Sequence, residues 1–124
     1  MVIRYASALL TVSGALALIL GLLFWFGVAL NLVALHMLLG FLAVAALWVI
    51  GICQFFSPGG SWPIAVAALL IGALTAALGL YQSSLMLGAA HWIVQVIHLL
   101  LGVLTIGLGH MGAARYRKRN RVED

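Results

Sequence analysis

Four long apolar stretches, about Tyr5–Ala29, Leu32–Gln54, Pro63–Gln82 and Ala90–Met111, contain no Lys, Arg, Asp or Glu. Each approaches or exceeds the ~20 residues that a helix needs to cross about 30 Å of hydrocarbon. The chain has 124 residues, 66% of them hydrophobic and 6% charged. That much apolar surface cannot be hidden inside a soluble domain of this size, but a bilayer can cover it. At that depth the backbone has to satisfy its own hydrogen bonds, which helices do within one segment. A transmembrane barrel needs alternation with a period of two, and the runs do not alternate. The expectation is an all-α membrane protein, a four-transmembrane-helix bundle forming one domain over residues 1–124.

The breaks between runs leave no room for a soluble domain. Ala29-Leu30-Asn31 joins the first pair as a tight antiparallel hairpin, and Ser57-Pro58-Gly59-Gly60-Ser61-Trp62-Pro63 is a loop. Gln82–Gly88 joins the last pair. All six basic residues, Arg4, Arg115, Arg117, Lys118, Arg119 and Arg121, sit at the two ends of the chain. Four crossings return both ends to one side, and the positive-inside rule makes that side cytoplasmic. Residues 113–124 are expected to be a basic cytoplasmic tail against anionic lipid, not a nucleic-acid-binding arm. Arg4 before an apolar run is also how a signal peptide starts, but this run is too long for one and is expected to stay as the first span. The single cysteine, Cys53, offers no disulfide framework.

The chain repeats itself. Gly14–Leu22 (GALALILGL) matches Gly72–Leu80 (GALTAALGL), and His36–Leu42 (HMLLGFL) matches His98–Leu104 (HLLLGVL), in the same order. The bundle therefore reads as two repeated helical hairpins, about 5–54 and 63–112, related by an axis along the membrane normal. Equivalent positions in parallel repeats lie at equal depth. His36 and His98 should then face each other across the axis, roughly 8 Å below the outer surface at ~1.5 Å per residue from Asn31.

Four residues after each histidine comes a glycine on the same face, Gly40 or Gly102; helix 4 extends that stripe with Thr105, and Gly21 and Gly79 reach a similar depth. Two level imidazoles beside small residues suit a haem b with bis-histidine ligation inside a four-helix bundle. His36 and His98 are the candidate axial ligands, with Gly40, Gly102, Gly21, Gly79 and Thr105 packing the cofactor. Iron closed on both axial sides favours electron transfer over gas binding. Two imidazoles do not complete a zinc or copper site, and no Cys, Asp or Glu lies at that depth. A transmembrane histidine also serves as an interhelical hydrogen-bonding residue, and glycines also serve close helix packing. Both readings stay open.

Tyr81, Gln82, His91, Trp92 and Gln95 cluster toward the outer face. His91 and Gln95 share the face of His98, and Ala29 and Val33 occupy the matching places in the first hairpin. The group suits propionate contacts or the carbonyls of a quinone; an interfacial polar cluster anchored by Trp92 is the plainer reading. His110 is matched by Trp48 and has no facing ligand, which argues against a second haem.

In helix count, size and haem-permissive helices 2 and 4, the chain resembles the small four-helix b-type cytochromes of bacterial membranes, the cytochrome b561-like group. The resemblance implies a multi-pass protein of the bacterial cytoplasmic (inner) membrane that moves electrons between haem and quinone or quinol, or a redox partner protein. It would be an electron carrier more than a catalyst. The rival expectation is a haem-free structural or anchor subunit of a larger membrane complex, with its glycine seams used for partners or for a homo-oligomer.

Overall fold

A computed structural model describes residues 1–120, and these form four helices: α1 (Val2–Trp25), α2 (Val33–Phe56), α3 (Trp62–Tyr81) and α4 (His91–Asn120). All four are long and apolar enough to span a membrane, and no strand is present among the described residues. The protein is a multi-pass, all-α four-helix bundle. Its exposed surface is lined with large apolar side chains, among them Leu9, Leu16, Ile19, Leu70, Leu74, Leu100 and Val103. A helix that is apolar all round has lipid on its outer face.

Neighbouring helices run antiparallel, so α2 and α4 are parallel to each other. They pack across the short diagonal of the bundle, while α1 and α3 sit at the far corners. The chain start, the α2–α3 loop and the end of α4 form one end, called the base here. The α1–α2 and α3–α4 connections form the other, the mouth.

Backbone geometry sets the helix ends. At the end of α1, Val28 N–H donates to the Leu23 carbonyl and Gly27 N–H to the Phe24 carbonyl, with Gly27 at φ +72°. This is a Schellman turn, which glycine makes without a Cβ penalty. It stops α1 four residues short of Ala29, and a 3-10 turn over Leu30–Leu32 leads into α2. At the other end of α2, the Ser57 hydroxyl and amide both bond the Cys53 carbonyl, and Pro58 follows. The α4 helix runs well past Met111. The stretch expected as a tail is helical through Asn120, about 45 Å in all at 1.5 Å per residue. Gly112 and Ala113 are buried in the core, and Arg117, Lys118 and Arg119 occupy the last turn, where cations favour the helix dipole. Arg121 and the rest of the expected tail lie outside the described residues.

Burial is lopsided along the bundle axis. Leu10, Leu47, Ile50 and Ala113 are fully buried and form one cluster with Ile3, Ala6, Ala43, Ala46 and Ala68, all in the base half. Between lipid-covered helices such a core is held by close van der Waals contact more than by exclusion of water. Gly51 lets α2 pack closely on α3: a Cβ there would lie 2.8 Å from the Ala68 Cβ and 3.4 Å from the Ala65 carbonyl oxygen. In the mouth half the described helices part, and the few buried side chains there include Ala17, Thr75 and Val94.

The base carries a polar clasp. Gln54 is completely buried; its amide donates to the Gly112 carbonyl, and its Oε1 accepts from Ser61 N–H and from Arg119. Arg119 also donates to the Gly59 carbonyl at 2.9 Å and lies over the Tyr116 ring. These bonds tie the α2–α3 loop to α4.

Candidate functional site

The parting of the helices toward the mouth encloses a cavity of about 490 Å³, lined by all four helices. That is the size range of small-molecule and cofactor sites. Its walls are mostly apolar, with Ala17, Leu18 and Phe24 from α1, Phe41 and Val44 from α2, and Leu99 and Ile106 from α4. Two imidazoles project into it. His36 is in the first turn of α2 and His98 two turns into α4, and their ring centroids lie 6.2 Å apart with the planes inclined at 63°.

Each imidazole sits on a glycine of the preceding helix. A Cβ at Gly21 would lie 3.2 Å from His36 Cε1, and one at Gly79 would lie 3.1 Å from His98 Cε1. The two hairpins thus seat their histidines in the same way. Gly21 and Gly79 make room for the rings themselves. Gly40 and Gly102 do something different: no atom lies within 4 Å of a Cβ built at either one. Both glycines line the cavity and leave bare helix backbone facing it.

The ring nitrogens differ between the hairpins. His36 Nδ1 donates to the Ala17 carbonyl at 2.9 Å, which puts the proton on Nδ1 and leaves Nε2 with a free lone pair. His98 Nδ1 is buried and has no hydrogen-bond partner among the described residues. The residue matching Ala17 in the second hairpin is Thr75, whose hydroxyl donates to the Ile71 carbonyl and accepts from Thr105 at 3.0 Å. Neither Nε2 is hydrogen-bonded and neither is among the buried unpaired atoms, so both are accessible, and both imidazoles line the cavity.

Of the residues expected around a cofactor, Gly21, Gly40, Gly79, Gly102, Gln82, His91 and Gln95 line the cavity. Thr105 does not. It lies one level deeper, where the helices converge, and is buried against Thr75. Tyr81 and Trp92 also lie off the cavity, 62% and 57% exposed on the outer surface. The polar rim therefore consists of Gln82, Ser83, His91 and Gln95. His91 Nδ1 donates to the Leu85 carbonyl at 3.1 Å, which fixes its ring beside the α3–α4 connection. Phe24, 5.3 Å from the His36 ring in an edge arrangement, is a wall residue that nothing in the sequence singles out.

His110 is far from this cavity. Thr11 gives its hydroxyl proton to the Ser7 carbonyl, so His110 Nε2 donates to Thr11, at 3.2 Å, on an exposed seam between α1 and α4. Among the described residues no cluster of three or more His, Cys, Asp or Glu could hold a metal ion. A metal here would have to bring most of its own ligands, as a porphyrin does.

Fold and site together define a small multi-pass membrane protein with an apolar cavity between two facing histidines. Comparison with protein-family models, with curated proteins and with solved structures returns no match.

Proposed function

We propose that the protein is a membrane-embedded haem b protein in which His36 and His98 are the two axial ligands. One observation carries the reading: two imidazoles with free Nε2 atoms face each other at 6.2 Å inside a cavity. Two metal–imidazole bonds of about 2 Å, plus the distance from nitrogen to ring centre on each side, give a similar separation. The bare backbone at Gly40 and Gly102 suits a flat macrocycle, and the apolar walls suit its faces.

Bound there, haem iron supplies a one-electron couple. The chain's own residues do the rest. His36 and His98 orient the plane, Phe24 and Leu99 keep water from it, and Gln82, Ser83, His91 and Gln95 offer hydrogen bonds to the propionates at the mouth. Closure on both axial sides favours relay of electrons near the outer face, to or from quinol or a redox partner protein, over catalysis at the iron. The basic residues in the last turn of α4, at the base, support a cytoplasmic location for both termini by the positive-inside rule. This agrees with the resemblance to b561-like cytochromes of the bacterial inner membrane.

The test is reconstitution. Purified protein in detergent, titrated with haem, is expected to saturate at one haem per chain. Absence of saturable uptake overturns the proposal.

A second reading has one observation in its favour. Thr11 and His110 form an exposed polar pair on the apolar outer surface of the helices; within a membrane such groups favour helix association. A haem-free anchor subunit or homo-oligomer would use that seam. Co-purification of a defined partner with colourless protein would favour it.

A further inference from the structure

The two histidines are matched in position but not in what stands behind them. A neutral imidazole that binds metal through Nε2 must carry its proton on Nδ1. In His36 that proton already rests on the Ala17 carbonyl, 2.9 Å away. In His98 it would sit on a buried nitrogen with no acceptor. A hydrogen-bonded ligand is held in orientation and made more basic by its outer partner, whereas an unmet buried donor costs free energy. Ligation at Nε2 is therefore supported from behind at His36 and unsupported at His98.

We infer that His36 is the anchored ligand and His98 the displaceable one, so that the α4 side of the cavity is a binding position for a small neutral ligand of iron. This rests on the haem reading above. The ligand class is set by the surroundings: among the described residues no Lys, Arg, Asp or Glu lines the cavity, most of its wall is apolar, and it reaches the mouth loops. A diatomic gas or a free imidazole fits, and an anion has no cation to meet it. Thr75 stands where Ala17 does in the first hairpin, and its hydroxyl pairs with Thr105 of α4 one level below His98.

The experiment compares the full-length protein with His36→Ala and His98→Ala by haem titration and absorption spectra. The loss of haem affinity is expected to be about 10- to 100-fold greater for His36→Ala than for His98→Ala. Reduced wild type should take up carbon monoxide slowly, by displacement of His98, and His98→Ala should take it up at once. Equal losses, or a greater loss for His98→Ala, would overturn the inference while leaving the cofactor in place. A wild type that takes up no haem removes the cofactor reading and this inference together. Nitrogen-15 spectra of histidine-labelled, haem-free wild type give a check that needs no variant. His36 should be a fixed Nδ1–H tautomer and His98 should lack that preference; a fixed Nδ1–H tautomer at His98, or none at His36, overturns the asymmetry.

Discussion

His36 and His98 face each other 6.2 Å apart across the axis of the bundle, one on each of two parallel helices. Each rests on a glycine of its own hairpin, Gly21 or Gly79. The cavity they share lies in the half of the bundle where the helices part, and the packed core lies in the other half. Stability and cofactor binding should therefore be separable by mutation.

Gly40 and Gly102 offer the clearest separation. Nothing lies within 4 Å of a Cβ at either site, so leucine has room there, and its helix propensity exceeds that of glycine by roughly 0.5–1 kcal/mol. Gly40→Leu and Gly102→Leu are expected to melt no lower than wild type in detergent and to lose most haem uptake. Unchanged uptake in both would mean that no flat ligand lies on that face.

Gly21 and Gly79 should behave otherwise. A Cβ at 3.1–3.2 Å from the imidazole already crowds it, and a branched side chain would push the ring off its seat. Gly21→Val and Gly79→Val are expected to lower haem affinity at least about 10-fold, as loss of ligand orientation does. Retention of full affinity, read by titration, would show that the rings are not held from behind.

Gln54 joins three elements at the base, bonding Gly112, Ser61 and Arg119 while fully buried. Gln54→Leu leaves those groups without their partner and should cost about 1–3 kcal/mol. Thermal unfolding in detergent is expected to shift downward, and haem-binding stoichiometry to stay the same. Gly51→Val, set against Ala68 and the Ala65 carbonyl, should cost a similar 1–3 kcal/mol by overpacking.

The number of helices and the facing histidines were legible because both follow from periodicity. Charge-free runs of sufficient length give spans, and the matched HMLLGFL and HLLLGVL segments give equal depth. The end of α1 was not legible, because apolar residues continue to Ala29 while the Schellman turn at Gly27 depends on a positive φ. Thr105 lies seven residues beyond His98, on the same face, as the stripe implied. At that depth the helices have converged, and convergence is a tertiary fact. Gln54 read as the polar edge of a span, yet it is the most enclosed polar side chain in the bundle because Arg119 and the α2–α3 loop close over it. The Nδ1 asymmetry of the histidines depends on a backbone carbonyl, and no sequence pattern encodes it.

Orientation is open to a simple check. A fluorescent reporter that matures only in the cytoplasm, fused after the last residue, is expected to glow, and a periplasm-dependent enzyme fused at the same place should be silent. The opposite result would place the mouth cavity on the cytoplasmic side.

The most direct measurement is an absorption spectrum of the protein purified from cells supplied with ample haem, taken oxidised and then reduced. A red protein with a sharp reduced α-band, low-spin in both states and lost together with His36, is the expected result. Colourless protein, or full haem occupancy with neither His36 nor His98 present, would contradict the account.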